Sequence, residues 1–143
     1  FMDSEKNFIK NIIKEVNVDI IQFHGMEKDS FCSQFDKPFI KAVSYQNKEL
    51  LLNLDQHYPN AYAFIVDSHQ EGEMGGTGTT FQEKNLSFSS KKPILVAGGI
   101  NSTNVINVVK TYNPYGIDVS SGVESSKGIK SIKLIKELVE IIK

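Results

Sequence analysis

The sequence predicts an α/β protein built on a parallel sheet, and three observations carry that prediction. Short apolar, β-branched runs alternate with segments of helical periodicity along the chain. The strand runs end at intervals of roughly 20 to 30 residues, the length a βα unit needs to return to the same edge of a sheet. The runs are nearly continuously apolar, as strands covered on both faces are.

Each element can be justified in order. Asp3-Ser4 followed by Glu5 offers an N-cap, and Phe8, Ile9, Ile12, Ile13 and Val16 then recur at helical spacing. VDIIQF (Val18–Phe23) reads as the first strand. DSFCSQF reads as a short helix that turns Cys32 toward the core as a small apolar residue rather than a nucleophile. FIKAV (Phe39–Val43) and YAFIV (Tyr62–Val66) read as the second and third strands. The stretch FIVDSHQEGEMGGTGTTF then places Asp67 at a strand end, before the glycines of Gly75-Gly76-Thr77-Gly78. A strand followed by such a loop means either a tight reversal or a backbone brought close to an anion. PILVA (Pro93–Ala97) is the fourth strand, and Asn101-Ser102-Thr103 offers a cap for a helix carrying Val105, Ile106, Val108, Val109 and Tyr112. GIDVS (Gly116–Ser120) is the fifth strand, and Ile129, Ile132, Ile135, Leu138, Val139 and Ile142 form the stripe of a last helical segment.

Composition limits the function. The 143 residues, 40% hydrophobic and 23% charged, suffice for one core and one domain. The net charge of -1, with no basic block longer than Lys91-Lys92, argues against nucleic acid as a partner. The absence of a long apolar run or a signal-peptide pattern argues against a membrane partner and for a cytoplasmic setting. All sixteen basic residues are Lys, so a phosphate held by this chain must be held by backbone N–H groups, helix ends or ammonium groups. Cys32 is the only cysteine, and His24, His57 and His69 lack metal-ligand spacing, so neither a metal nor a cofactor is expected.

A doubly wound open sheet and a (β/α)8 barrel both satisfy the element order. The open sheet would place a phosphate loop after its first strand. Here the glycine signals fall late, as GGTG, AGG (Ala97–Gly99) and SSG (Ser120–Gly122). Consecutive late loops rich in glycine and serine are how barrels hold phosphate at the carboxyl ends of their strands, so the barrel is favoured.

The segments DIIQFHG, IKAV, FIVDS with GGTGTTF, PILVAGGI with NV, and GIDVSSGVESSKGIKS resemble, in order, the strand-end motifs of the phosphoribosylanthranilate isomerase family. The resemblance runs from the first residues to about Lys133. It implies a TIM barrel present as roughly the last five and a half βα units, the C-terminal three quarters or so of the family's chain. Residues 1–143 would be a single partial barrel domain lacking the first two βα units, with Phe1-Met2 at the end of the third strand and with barrel edges open to self-association. It further implies an Amadori rearrangement in tryptophan biosynthesis, acting on a small sugar phosphate, with Asp67 as the general acid. Gln22, His24, Gly76, Gly78 and Asp118 would lie at the substrate, and Gly98, Gly99, Ser121 and Gly122 at its phosphate. Asp118 would hold the loops, and Lys41 would face either substrate or a neighbouring carboxylate.

Two departures from the family pattern stand out. Phe81-Gln82-Glu83 replaces the family's Phe-Asp-Trp, and the family's base, a Cys on the first strand, and its ring-holding Arg have no counterpart in this sequence. The 143 residues alone are therefore expected to show little or no isomerase activity. The alternative is a non-catalytic, phosphate-binding barrel fragment.

Overall fold

The computed structural model describes residues 1–68 and 87–143. Five strands, β1 (Ile21–Phe23), β2 (Phe39–Ser44), β3 (Ala63–Asp67), β4 (Ile94–Ala97) and β5 (Gly116–Asp118), form one sheet in which spatial order equals chain order. Every pairing is parallel. An order that never reverses distinguishes this sheet from a doubly wound one, whose strands turn back at a switch point. Right-handed crossovers that always step the same way put every connecting helix on one face, as in a barrel.

The two faces are chemically distinct. Phe23, Phe39, Phe64, Val66 and Val96 point outward with Leu51, Leu54 and Val105 into the larger core beneath the helices. Phe23 sits at the centre of an aromatic group, its ring 5.7 Å from Phe35 and 5.9 Å from Phe39. Burying each such side chain stabilises the fold by about 1.5–3 kcal/mol. The inner face carries a smaller cluster, Ala42, Ile65 and Ala97 with Ile40 and Leu95. Strand registers align inner residues in rows, the uppermost being Ser44, Asp67, Ala97 and Asp118.

Helices α1 (Lys6–Glu15), α2 (Asp29–Cys32), α3 (Lys48–Leu52), α4 (Leu54–His57), α5 (Val105–Tyr112) and α6 (Ile132–Ile142) are the described helices. A hairpin of β6 (Glu124–Ser126) and β7 (Ile129–Lys130) precedes α6. Phe1 runs beside β1, its amino group donating to the Gln22 carbonyl at 2.7 Å and its carbonyl accepting from His24 N–H at 2.8 Å. No helix among the described residues is long and apolar enough to cross a membrane.

Several local expectations are corrected. Val18–Ile20 lies outside β1, where Ile20 is exposed. Neither expected capping group caps its helix. The residue preceding α1 is Glu5, without a side-chain cap bond, and Asp3 instead accepts Met26 N–H at 2.7 Å. Asn104 precedes α5, while Asn101 Oδ1 accepts from Thr103 N–H at 2.9 Å in a turn of its own. The α6 stripe divides: Leu134, Leu138 and Ile141 pack on the core, whereas Ile132, Ile135, Val139 and Ile142 are exposed. The spacing of the packed set, i, i+4, i+7, is one face of a helix; the expected stripe mixed two.

Candidate active site

The carboxyl ends of the strands gather the polar residues of the inner face. Asp67 ends β3 with its neighbours fixed on both sides by the ladders to Ser44 and Ala97. It is buried to 7% relative exposure, although it lies at the rim of the sheet. His24 follows β1 directly, and its Nε2 stands 3.5 Å from Asp67 Oδ2, with the imidazole half open to solvent. Gln22 lies on the same face, in register with Ile40, and is exposed. Asp118 ends β5 on the Asp67 row, exposed, beside Ala97.

The loop after β4 explains its glycines. Gly98 and Gly99 have φ of 98° and 60°, conformations that side chains disfavour. A Cβ on Gly98 would come within 1.9 Å of Ser68 Oγ and 2.8 Å of Asp67 Oδ1, so the backbone of this loop lies directly against the carboxyl group. Ser121 and Gly122 belong to a single 3₁₀ turn, Ser121–Val123. A Cβ on Gly122 would fall 1.8 Å from the Ile100 carbonyl oxygen, which presses this turn against the loop after β4. The two phosphate-loop candidates are thus packed on each other. Lys130 braces the second, its Nζ donating to Ser120 O at 2.9 Å and to Glu124 Oε1 at 2.6 Å.

The structure therefore brings together Asp67, His24, Gly98 and Gly99 at one end of the sheet, with Ser121 and Gly122 against the same loop and Gln22 and Asp118 on the flanking strands. Gly76, Gly78 and His69 lie outside the described residues. Cys32 is fully buried on the outer side, where burial pushes its thiol up to about 12 and removes it from any site chemistry. Among the described residues no group of three or more His, Cys, Asp or Glu side chains could hold a metal ion.

Of the two alternatives left for Lys41, substrate or a neighbouring carboxylate, the structure shows the second, with a partner that sequence reasoning did not identify. Its ammonium faces Glu27, Nζ to Oε2 3.5 Å, with both side chains almost wholly buried on the outer side of β2. The alternation along FIKAV was the available signal, since Lys41 shares parity with Phe39 and Val43 and so with the outer core. Ser68, buried against Gly98, was missed as well.

A one-directional parallel sheet with its carboxylate, imidazole and glycine loops at the carboxyl ends of the strands is an α/β scaffold of the TIM-barrel type. Comparison with known proteins agrees. The family described as N-(5'-phosphoribosyl)anthranilate (PRA) isomerase matches residues 1–141, and the chain belongs to this family. The match runs past Lys133 into α6, further than the motifs alone reached. The N-(5'-phosphoribosyl)anthranilate isomerase of Hahella chejuensis is 39% identical over 97% of this chain and 65% of its own length. That of Neisseria gonorrhoeae (strain NCCP11945) is 42% identical over 89% of this chain and 61% of its own length. The chain thus spans less of these relatives than the expected three quarters or so. The crystal structure of phosphoribosyl anthranilate isomerase from Thermotoga maritima superposes with a TM-score of 0.79 at 25% identity, covering 99% of this chain and 69% of that one.

Proposed function

We propose that the protein isomerises N-(5'-phosphoribosyl)anthranilate to 1-(2-carboxyphenylamino)-1-deoxyribulose 5-phosphate in tryptophan biosynthesis, a cytoplasmic pathway step, and that Asp67 is its general acid. The observation that carries this is the placement of Asp67 in a chain of this family: buried, on the inner face, 3.5 Å from His24 and against Gly98. The five strands are read as the fourth to eighth of a single (β/α)8 barrel domain, a reading that the unreversed strand order supports.

The chemistry follows from the bonds that must change. Asp67 gives its proton to the ring oxygen of the aminofuranose, the C1–O bond breaks, and a protonated imine forms at C1. A base then takes the proton from C2, the electrons move into the C1–C2 bond, and the resulting enol tautomerises to the ketone. Proton transfer by a positioned acid contributes roughly 10²–10⁴-fold. His24 and Gln22 flank the sugar, while Gly98, Gly99, Ser121 and Gly122 offer N–H groups to the phosphate, consistent with a chain that has no arginine. Asp118 holds the loops from the last strand. Cys32 is not the base, since its protonated thiol lies on the far side of β2 and β1 from Asp67. A non-catalytic phosphate-binding fragment is the less favoured reading, because phosphate alone would not call for a buried carboxyl group beside an imidazole.

The test follows loss of substrate fluorescence with the protein as encoded. Asp67→Asn is expected to lower kcat by roughly 10²–10⁴-fold while inhibition by inorganic phosphate persists. Wild-type turnover by Asp67→Asn would mean that Asp67 is a turn residue. No turnover by the unaltered protein would favour the non-catalytic reading.

A further inference from the structure

The peptide units on either side of His24 are fixed by buried charges on the outer side of the sheet. Lys41 Nζ donates to the Phe23 carbonyl at 3.3 Å and the Gly25 carbonyl at 2.6 Å, the two carbonyls that bracket His24, and to Ala42 O at 3.0 Å. Glu27 answers from the opposite polarity: its Oε2 accepts Gly25 N–H at 2.9 Å and its Oε1 accepts Asp3 N–H at 2.8 Å. Asp3 in turn accepts Met26 N–H at 2.7 Å, and a Cβ on Gly25 would strike the Asp3 carboxyl group at 2.4 Å. Three consecutive peptides of an otherwise irregular loop are thereby held, 23–24 at its carbonyl, 24–25 at its N–H and 25–26 at both.

Such an arrangement is costly as a stabilising device. Burial pushes the Lys41 ammonium below its ordinary range, with the adjacent Glu27 carboxylate opposing that shift. Well-packed apolar residues commonly replace a buried ion pair with no loss of stability. An apolar pair, however, could not grip the carbonyls of Phe23 and Gly25. We propose that Lys41 and Glu27 are a positioning pair, which sets the imidazole of His24 against Asp67 by fixing the peptides on both sides of His24. This rests on the assignment of His24 and Asp67 to the substrate site for its catalytic consequence, whereas the geometric coupling stands independently of it.

The experiment is a cycle in the full protein, read by imidazole nitrogen NMR and by isomerase kinetics. In the wild-type background, Asp67→Asn shifts the His24 Nε2 resonance. In a Lys41→Met/Glu27→Leu background, which keeps the volume apolar, the same substitution is expected to shift it at most about half as far, because coupling between contacting groups is lost when one is displaced. The kcat/KM of that background falls about 10- to 100-fold, the scale of a misplaced active-site group. In a His24→Ala background, replacing the pair then costs little more. An undiminished shift in the apolar background overturns the proposal. Should that variant fail to fold, Glu27→Gln, nearly isosteric, is read by the same shift, a reduced response supporting the pair and an undiminished one overturning it. A protein that turns over no substrate but shows the reduced shift would sink the isomerase reading and leave the positioning pair in place.

Discussion

At the level of single residues, environment rather than residue type decides what each ionisable group does. Asp67 and Glu27 are both buried carboxyl groups, yet one meets an imidazole at the rim and the other a wholly buried ammonium. Cys32 and Tyr58 show the opposite case, neutral groups whose ionisation is suppressed by burial, each pushed up to about 12. Both are raised relative to the unfolded chain, so the folded state holds more protons in alkali. Their contribution is fully present below the ordinary thiol value of 9.0 and is lost as pH rises toward about 12. Lys41, shifted downward, acts with the opposite sign, so the Cys32 share must be isolated by difference. Denaturant unfolding across this range should show a flatter alkaline decline in Cys32→Ala than in wild type. Equal slopes would mean that the thiol is not protected. The role of Cys32 as a core residue was legible, because Phe31, Cys32 and Phe35 are the apolar residues of an otherwise polar short helical stretch. The Lys41–Glu27 pair was not legible, because alternation gives a face but not the partner that a loop folds back to supply.

At the level of elements, strands proved more legible than helix ends. A strand in a parallel sheet is declared by its apolar run, which the interior requires whatever surrounds it. A cap depends on where the first turn begins, and Asn101 and Asp3 both found loop N–H groups that competed with the helix. The α6 stripe was blurred for a related reason: seven of its eleven residues are Ile, Leu or Val, so periodicity alone could not choose a face. The packing does choose one, and it makes a sharp contrast. Leu138→Ala, at a position only 6% exposed, should destabilise the protein by about 2–5 kcal/mol in urea unfolding. Val139→Ser, one position on and facing out, should stay within about 0.5 kcal/mol of wild type. Similar losses at both positions would contradict the docking of α6 through its Leu134, Leu138 and Ile141 face.

For the whole molecule, burial along the sheet sets a gradient of protection. β3 is buried along all five residues, whereas the three residues of β5 are half-buried or exposed. Native-state hydrogen exchange should therefore be slowest at the amides of Phe64 and Val66 and faster by at least about tenfold in β5. Faster exchange in β3 than in β5 would mean that burial does not set the order of opening. Architecture was readable because late glycine loops and unbroken βα spacing both pointed to a barrel, while the exact geometry of the loops was not, since it depends on close approaches such as Gly122 to the Ile100 carbonyl. The strict division of the sheet into an inner and an outer face also bears on how this chain can vary. Each strand carries a two-letter frame, outer then inner. One residue inserted ahead of Val66 within β3 would send Asp67 into the helix-side core and bring Val66 to the mouth. A second insertion beside it would restore the frame. Lengthening is thus tolerated in strands only by pairs and in the connecting loops by any number, so descendants of this sequence should differ in length almost entirely between the strands, with Asp67 keeping its parity relative to Phe64.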